Sequence, residues 1–278
     1  MAEQQGLLTY SGKLGETVGY RRGGKHFERA KPRSYQPGEE SLKSGAEFGT
    51  GSTGCALLKM AFEPLLLRAF SEDLHNRLAG KLRVIIRTGP VAKKGKRGVF
   101  DGNVNLLKGF EFNSKVSFRK LTQMTMSTTV TAEEVKVSIR PFKWNGTIQA
   151  PAQAQRVKIG FCCVFADFNS GSFTALRADD LQIERNKDFQ GGRFKIAIPN
   201  NEELAVLLVM NIFFESDSGN RAYRVENKKY QAGIILDAVH IKNGEVVEFV
   251  TEELPKKEEE PQKPPDAYWE LGWEEEEE

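Results

Sequence analysis

A chain of 278 residues can bury one large core or two modest ones. With 28% charged and 39% hydrophobic residues it is neither fibrous nor wholly disordered, and no apolar run approaches the roughly 20 residues of a membrane-spanning helix. The formal charge of +2 hides a division: from Glu252 onward there are 12 acidic residues against three lysines, leaving the preceding body 37 bases and 26 acids. A basic body therefore carries an acidic tail, about −9 against about +11. The polar start, Met1-Ala2-Glu3-Gln4-Gln5, lacks the basic and apolar regions of a secretory signal, so a cytoplasmic (or virion) setting is expected. Cys55 and the adjacent pair Cys162-Cys163 are expected to be reduced, since neighbouring cysteines on a strand point to opposite faces.

Gly6 to Tyr35 reads as a glycine-punctuated ribbon. Leu7-Leu8-Thr9-Tyr10 comes first, Ser11 to Gly15 supplies a turn, Thr17 to Arg21 extends, Gly23-Gly24 turns and Lys25 to Arg29 returns. Such glycine density also occurs in phosphate cradles. Here no Gly-Lys-Ser/Thr follows the loop, and the order strand, loop, helix is lacking, so a structural ribbon is expected.

The run Gly12-Lys13-Leu14-Gly15-x-x-Val18-Gly19-Tyr20-Arg21, followed by Gly24-Lys25, Arg29 and Lys31-Pro32, resembles the opening of an uncharacterised family from Bacteroidota. That family continues with a helix bearing Gln-x-x-x-Arg-x-x-Phe, where this chain has Ser41, Gly45 and Phe48, so only the Phe matches. The resemblance covers about the first fifth of the chain. It implies a β-rich protein of unknown function and carries over no catalytic residue.

Leu57, Leu58, Ala61, Phe62, Leu65, Leu66, Ala69, Phe70, Leu74 and Leu78 recur at helical spacing, with Pro64 predicting a kink or a fresh start. Leu82, Val84, Ile85 and Ile86 close this region before Gly89-Pro90. His75 has no partner at i+4 and no Glu in a zinc-protease arrangement, so it predicts no metal site. Lys93, Lys94, Lys96 and Arg97 form the densest basic cluster. Glycines between them predict an exposed loop, with polyanion binding as its candidate role.

From Phe110 the pattern becomes strand after strand. Phe110, Phe112, Val116 and Phe118 alternate with polar residues, as do Met124, Met126, Thr128 and Val130, then Val135, Val137 and Ile139. Arg156 to Asp167 starts alternating and becomes apolar on both faces, and Phe194 to Ile198 precedes a Pro199-Asn200-Asn201 turn. Ala205 to Phe213 then holds nine successive uncharged residues. As a strand it points Val206, Leu208, Met210, Ile212 and Phe214 to one face and Ala205, Leu207, Val209, Asn211 and Phe213 to the other. Both faces exclude water, which predicts a central strand covered on both sides; a buried helix is the rival reading. Asn243-Gly244 predicts a hairpin joining Tyr230–Ile241 to Val246–Val250. Pro141 to Ala154, with Trp144, reads as a long irregular loop.

The predicted class is α+β. Residues 1–108 form a hairpin and helical region with a basic loop, 109–251 an antiparallel immunoglobulin-like β-sandwich, and 252–278 a disordered acidic tail. Within that tail Tyr268, Trp269, Leu271 and Trp273 are set among acids and read as a short partner-binding segment, for a protein partner or self-docking.

No catalytic motif stands out: there is no Gly-x-Ser-x-Gly elbow, no Cys-x-x-Cys and no histidine cluster among His26, His75 and His240. Asp179-Asp180 with Glu184 reads as a turn or strand cap before it reads as an acid–base or cation site. No catalytic residue, metal or cofactor is therefore expected. The leading expectation is a non-catalytic structural or interaction protein in a larger assembly such as a phage particle, with protein or self-assembly partners and no membrane. A nucleic-acid-binding protein whose acidic tail competes for a basic body is the alternative.

Overall fold

The computed structural model describes residues 2–4, 9–31, 36–66, 71–218 and 221–250. Its first elements form a small antiparallel sheet of four strands: β1 (Ala2–Glu3), β2 (Gly12–Leu14), β3 (Thr17–Arg22) and β4 (Lys25–Ala30), in the order β1-β4-β3-β2. Gly15 and the Gly23-Gly24 pair make the turns at positive φ. The expected Ser11–Gly15 turn is itself mostly strand β2, and β1 is an extra edge strand that the sequence pattern did not reveal.

Helix α1 (Glu39–Leu66) and helix α2 (Leu74–Thr88) follow. Pro64 lies inside α1, in the last turn of its described residues. Leu74, Leu78, Leu82, Ile85 and Ile86 make the buried stripe of α2.

Seven of the remaining strands build one sheet around a single element. β11 (Glu203–Ser218) pairs along its length with β7 (Arg156–Asp167) on one side and β13 (Ala232–Lys242) on the other. β8 (Ser172–Arg177) and β9 (Leu181–Glu184) share the outer edge of β7, β12 (Arg221–Arg224) pairs with the end of β11, and β14 (Glu245–Val246) returns on β13. The return uses Asn243 and Gly244 at positive φ, as the Asn-Gly signal predicts. A second sheet has the order β10-β6-β5, made of β5 (Met126–Val130), β6 (Glu134–Ile139) and β10 (Gly192–Ala197). Every pairing is antiparallel.

The two faces of β11 sit in two separate cores, with the face assignment expected from alternation. Ala205, Leu207 and Val209 join Cys162, Val164 and Ala166 against Leu58, Phe62, Leu65, Leu78, Leu82 and Ile85 of the helices. Val206, Leu208, Met210, Ile212 and Phe214 join Phe161, Cys163 and Phe165 against Val135, Val137 and Ile139 of the second sheet. Three layers result: helices, large sheet, small sheet. The class is mixed α+β with antiparallel sheets. Seven strands face three, and helices back the larger sheet, so the arrangement does not establish the expected immunoglobulin-like sandwich. Helices from before residue 108 and strands from after it share one core.

The alternation at Phe110 to Phe118 is not a strand. Phe112 and Val116 are buried anchors of irregular chain, and Phe118 opens a single turn, α3 (Phe118–Leu121). The carbonyls of Glu111 and Phe112 are taken by the Arg77 guanidinium at 2.7 and 2.9 Å, which leaves this segment only isolated contacts with β13. Trp144 opens a distorted single turn, Trp144–Thr147, within the stretch expected to be a long irregular loop, and its ring is buried in the second core. The cysteines are all free and buried, with Cys162 and Cys163 on opposite faces, and burial pushes both thiols up, Cys162 to about 11. No helix among the described residues is long and apolar enough to cross a membrane.

One polar residue interrupts the apolar strand. Asn211, 1% exposed, accepts from the Gly160 N–H at 3.0 Å and donates to the Leu65 carbonyl at 2.6 Å. It thereby supplies a donor to a carbonyl in the last described turn of α1. Gly160 is required opposite it, because a Cβ there would stand 2.5 Å from Asn211 Oδ1. Asn211→Ala strands a buried N–H and a buried C=O together, and a loss of about 2–4 kcal/mol is expected in urea unfolding monitored by circular dichroism.

Candidate functional site

The basic loop that the sequence singled out is not a free patch. Arg97 is buried and holds Glu47 of α1 through two parallel bonds, Nε to Oε1 at 2.6 Å and Nη2 to Oε2 at 2.9 Å. Its Nη1 donates to the carbonyls of Arg87 and Gly89, closing the C-terminal end of α2. Gly95 donates its N–H to the same Glu47 carboxylate at 2.9 Å. Burial alone would raise the Glu47 carboxyl, but the bonds from Arg97 and Gly95 hold it below its ordinary value. Lys93 pairs with Asp101 at 2.7 Å and Lys94 with Glu40, both lysines being solvent-exposed. Lys96 is exposed. The expectation of four available cations is corrected for Arg97, whose guanidinium is enclosed in protein. Its partner lies 50 residues upstream, a pairing that local glycine and lysine spacing does not encode.

Two members of the acidic group sit in local ion pairs. Arg177 grips Asp180 through two bonds, and Glu184 pairs with Lys187. His75 Nδ1 lies 3.5 Å from Cys55 Sγ. The third histidine belongs to a network closing one end of the large sheet. His240 Nε2 meets Glu203 Oε1 at 3.0 Å, and its ring stacks on Phe100 with centroids 4.7 Å apart. Glu203 also receives Lys242 at 3.1 Å and the Asn169 amide at 2.8 Å. Both carboxylate oxygens are thus engaged, and the group braces β11, β13 and the 167–172 turn. Among the described residues no cluster of three or more His, Cys, Asp or Glu could hold a metal ion.

A cavity of about 670 Å³ lies elsewhere, between the edge of the small sheet and β13. Met210 of β11 lines it together with Met124, Met126 and Leu236, and Lys108 and Arg119 add two cations. A β-bulge helps make it: Leu208 faces Asp237 and Val209 faces Ile235, which leaves Leu236 as the extra residue. Asp237 stays beside the bulge, bound to Lys108 at 3.1 Å and to the Thr128 hydroxyl at 2.8 Å. Apolar walls with a few cationic groups and this volume suit a small ligand or an inserted side chain. The sequence pattern placed Met124 and Met126 on a strand and Met210 on the central strand, but nothing in their spacing brings the three together.

The N-terminal ribbon is the other distinctive surface. Among the described residues of β1 to β4 only Gly19 is buried, with Tyr10 lying over it. Tyr20 stacks on Phe27 across the strands at 5.8 Å, and Arg29 sits over the Tyr20 ring. Tyr268, Trp269, Leu271 and Trp273 lie outside the described residues. No protein-family model matches the chain, and no curated protein matches it.

Two expectations follow. Glu47→Gln leaves the Arg97 charge enclosed without its counter-charge and should cost about 3–5 kcal/mol, while Lys96→Ser should leave the melting temperature nearly unchanged. Thermal melts of the two variants check this.

The second concerns acid. Burial depresses the His240 pKa below 6.5 despite the opposing pull of Glu203. The unfolded chain then binds the proton first, so stability is unaffected by this group above about pH 6.5 and falls as pH drops below it. Glu203 adds a loss at lower pH: burial would raise it, yet Lys242, Asn169 and His240 hold it below 4.5. Its contribution disappears as pH falls from there through its folded value. His240→Gln should flatten the melting-temperature profile just below about pH 6.5 while leaving the lower-pH loss in place.

Proposed function

We propose that this is a non-catalytic structural or interaction protein, one component of a larger assembly such as a phage particle. In this reading the two facing sheets, immunoglobulin-like in their role, form the scaffold, and the ribbon is the arm that engages a neighbouring protein. The exposure of the ribbon carries the proposal. Four short strands with one buried residue bury too little apolar surface to hold a sheet together in water. The outer edges of β1 and β2 also present backbone groups able to pair with another chain. A neighbour covering the Tyr20–Phe27 pair supplies the missing core. The same ribbon carries the Gly-Lys-x-Gly run of the Bacteroidota resemblance, which fits a conformation built on glycine turns.

The nucleic-acid alternative is less favoured because Lys93, Lys94 and Arg97 already have carboxylate partners within the chain. A polyanion would have to displace them.

Hydrogen exchange on a dilute monomer tests the reading. Amides of residues 12–30 should exchange nearly as fast as in an unfolded chain, while those of β11 stay protected to the level of global unfolding. Ribbon amides as protected as β11 in a verified monomer would show a self-sufficient sheet and overturn the proposal.

A further inference from the structure

We propose that the methionine-lined cavity receives the chain's own C-terminal aromatic segment, Tyr268 to Trp273, with an indole inside and the neighbouring carboxylates against Arg119. The inference does not rest on the role given to the ribbon. Chemistry comes first. Met124, Met126 and Met210 offer polarizable thioethers, which pack well at aromatic ring edges and adapt to an inserted shape. The segment supplies Trp269 and Trp273 within five residues, flanked by Asp266, Glu270 and Glu274 to Glu278. An aromatic body with an acidic surround matches apolar walls with a cationic rim. Arg119 is exposed on α3, and Lys120 beside it is exposed as well.

Reach is sufficient. The β13–β14 hairpin returns the chain beside Ile241, while the cavity opens at Ile234 to Leu236 of the same strand, about 20 Å away at strand rise. Seventeen residues lie between Val250 and Tyr268, and fully extended they span about 60 Å. A tether of this kind holds its end at an effective concentration on the order of millimolar. A contact whose own Kd is about 0.1 mM is therefore mostly formed. Charge contributes attraction only within a Debye length of about 8 Å at physiological salt, so the indole supplies the lasting part of the contact.

Methyl-labelled methionine makes the test direct, because three of the five methionines line the cavity and Met60 lies elsewhere, on α1. In the full chain the Met124, Met126 and Met210 methyl signals should be shifted by an aromatic ring current. They should move in the Trp269→Ala/Trp273→Ala double variant while Met60 stays in place. Arg119→Glu, at an exposed position, should move them in the same direction without lowering the melting temperature. The shifts should not change on dilution. Identical cavity signals with and without the two tryptophans would overturn the proposal, as would a response confined to Met60. Shifts that vanish on dilution would assign the contact to a second copy and overturn its intramolecular form.

Discussion

A sixteen-residue strand with no polar face has to be covered twice, and the architecture follows from that requirement. Leu207 and Val209 need one apolar layer, Leu208 and Met210 another, and all four are fully buried. At about 25 cal/mol per Å² of apolar surface, leaving either face wet would cost a large fraction of a typical domain's net stability. Two amphipathic helices supply the first cover and a three-stranded sheet with irregular chain the second. Asn211 is the point where this apolar rule is broken and repaired. Its amide links the central strand, the neighbouring β7 and the end of α1, so one buried side chain fixes the position of the helix on the sheet. Arg177 reinforces the same helix end through the Pro64 carbonyl.

The two covers are not equivalent. Helix α2 presents a continuous apolar stripe and α1 adds Leu58, Phe62 and Leu65 from its C-terminal half, and the segment after α2 is clamped to them by the Arg97–Glu47 pair. That pair is a specificity device as much as a stabilising one, since a buried ion pair gains little net energy but tolerates no other register. On the opposite face three strands are too few to span the large sheet. The bulge at Leu236 turns β13 locally, and the uncovered part becomes the methionine-lined cavity. An incomplete second layer thus leaves space beside the longest strand.

What was legible in the sequence is what depends on local period. The alternation of Ala205 to Phe214, the bounds of β7 and the Asn243-Gly244 hairpin are all encoded within a few residues, and the structure has them. Phe110 to Phe118 has the same alternation without the strand, because the backbone groups there bond to Arg77, 34 residues away, in place of a ladder. Arg97 shows the same limit for a site. Glycine and lysine neighbours describe a solvated loop, whereas its burial is decided by Glu47 on a distant turn of α1. The cavity was illegible for a further reason: it is a property of two sheets of unequal width, and no single segment carries it.

Net charge is the quantity most easily misread at the sequence level. A body of about +11 suggests a polyanion surface, but charge acts at a surface only where it is not already neutralised at contact distance. Arg97, Lys93, Lys94, Lys108, Arg156 and Lys242 each face a carboxylate within 4 Å, so their fields are dipolar beyond a short range. Dipolar fields fall off faster than those of single charges and are screened over the same Debye length. The charge that remains to steer a partner is therefore smaller than the formal count and differently placed. On the ribbon, six bases at Lys13, Arg21, Arg22, Lys25, Arg29 and Lys31 outnumber three acids at Glu3, Glu16 and Glu28. Around the cavity it sits on Arg119. Both places border apolar groups that lack full cover, Tyr20 and Phe27 in one case and the methionines in the other. Unbalanced charge beside uncovered apolar surface is the combination that gives a partner both steering and grip.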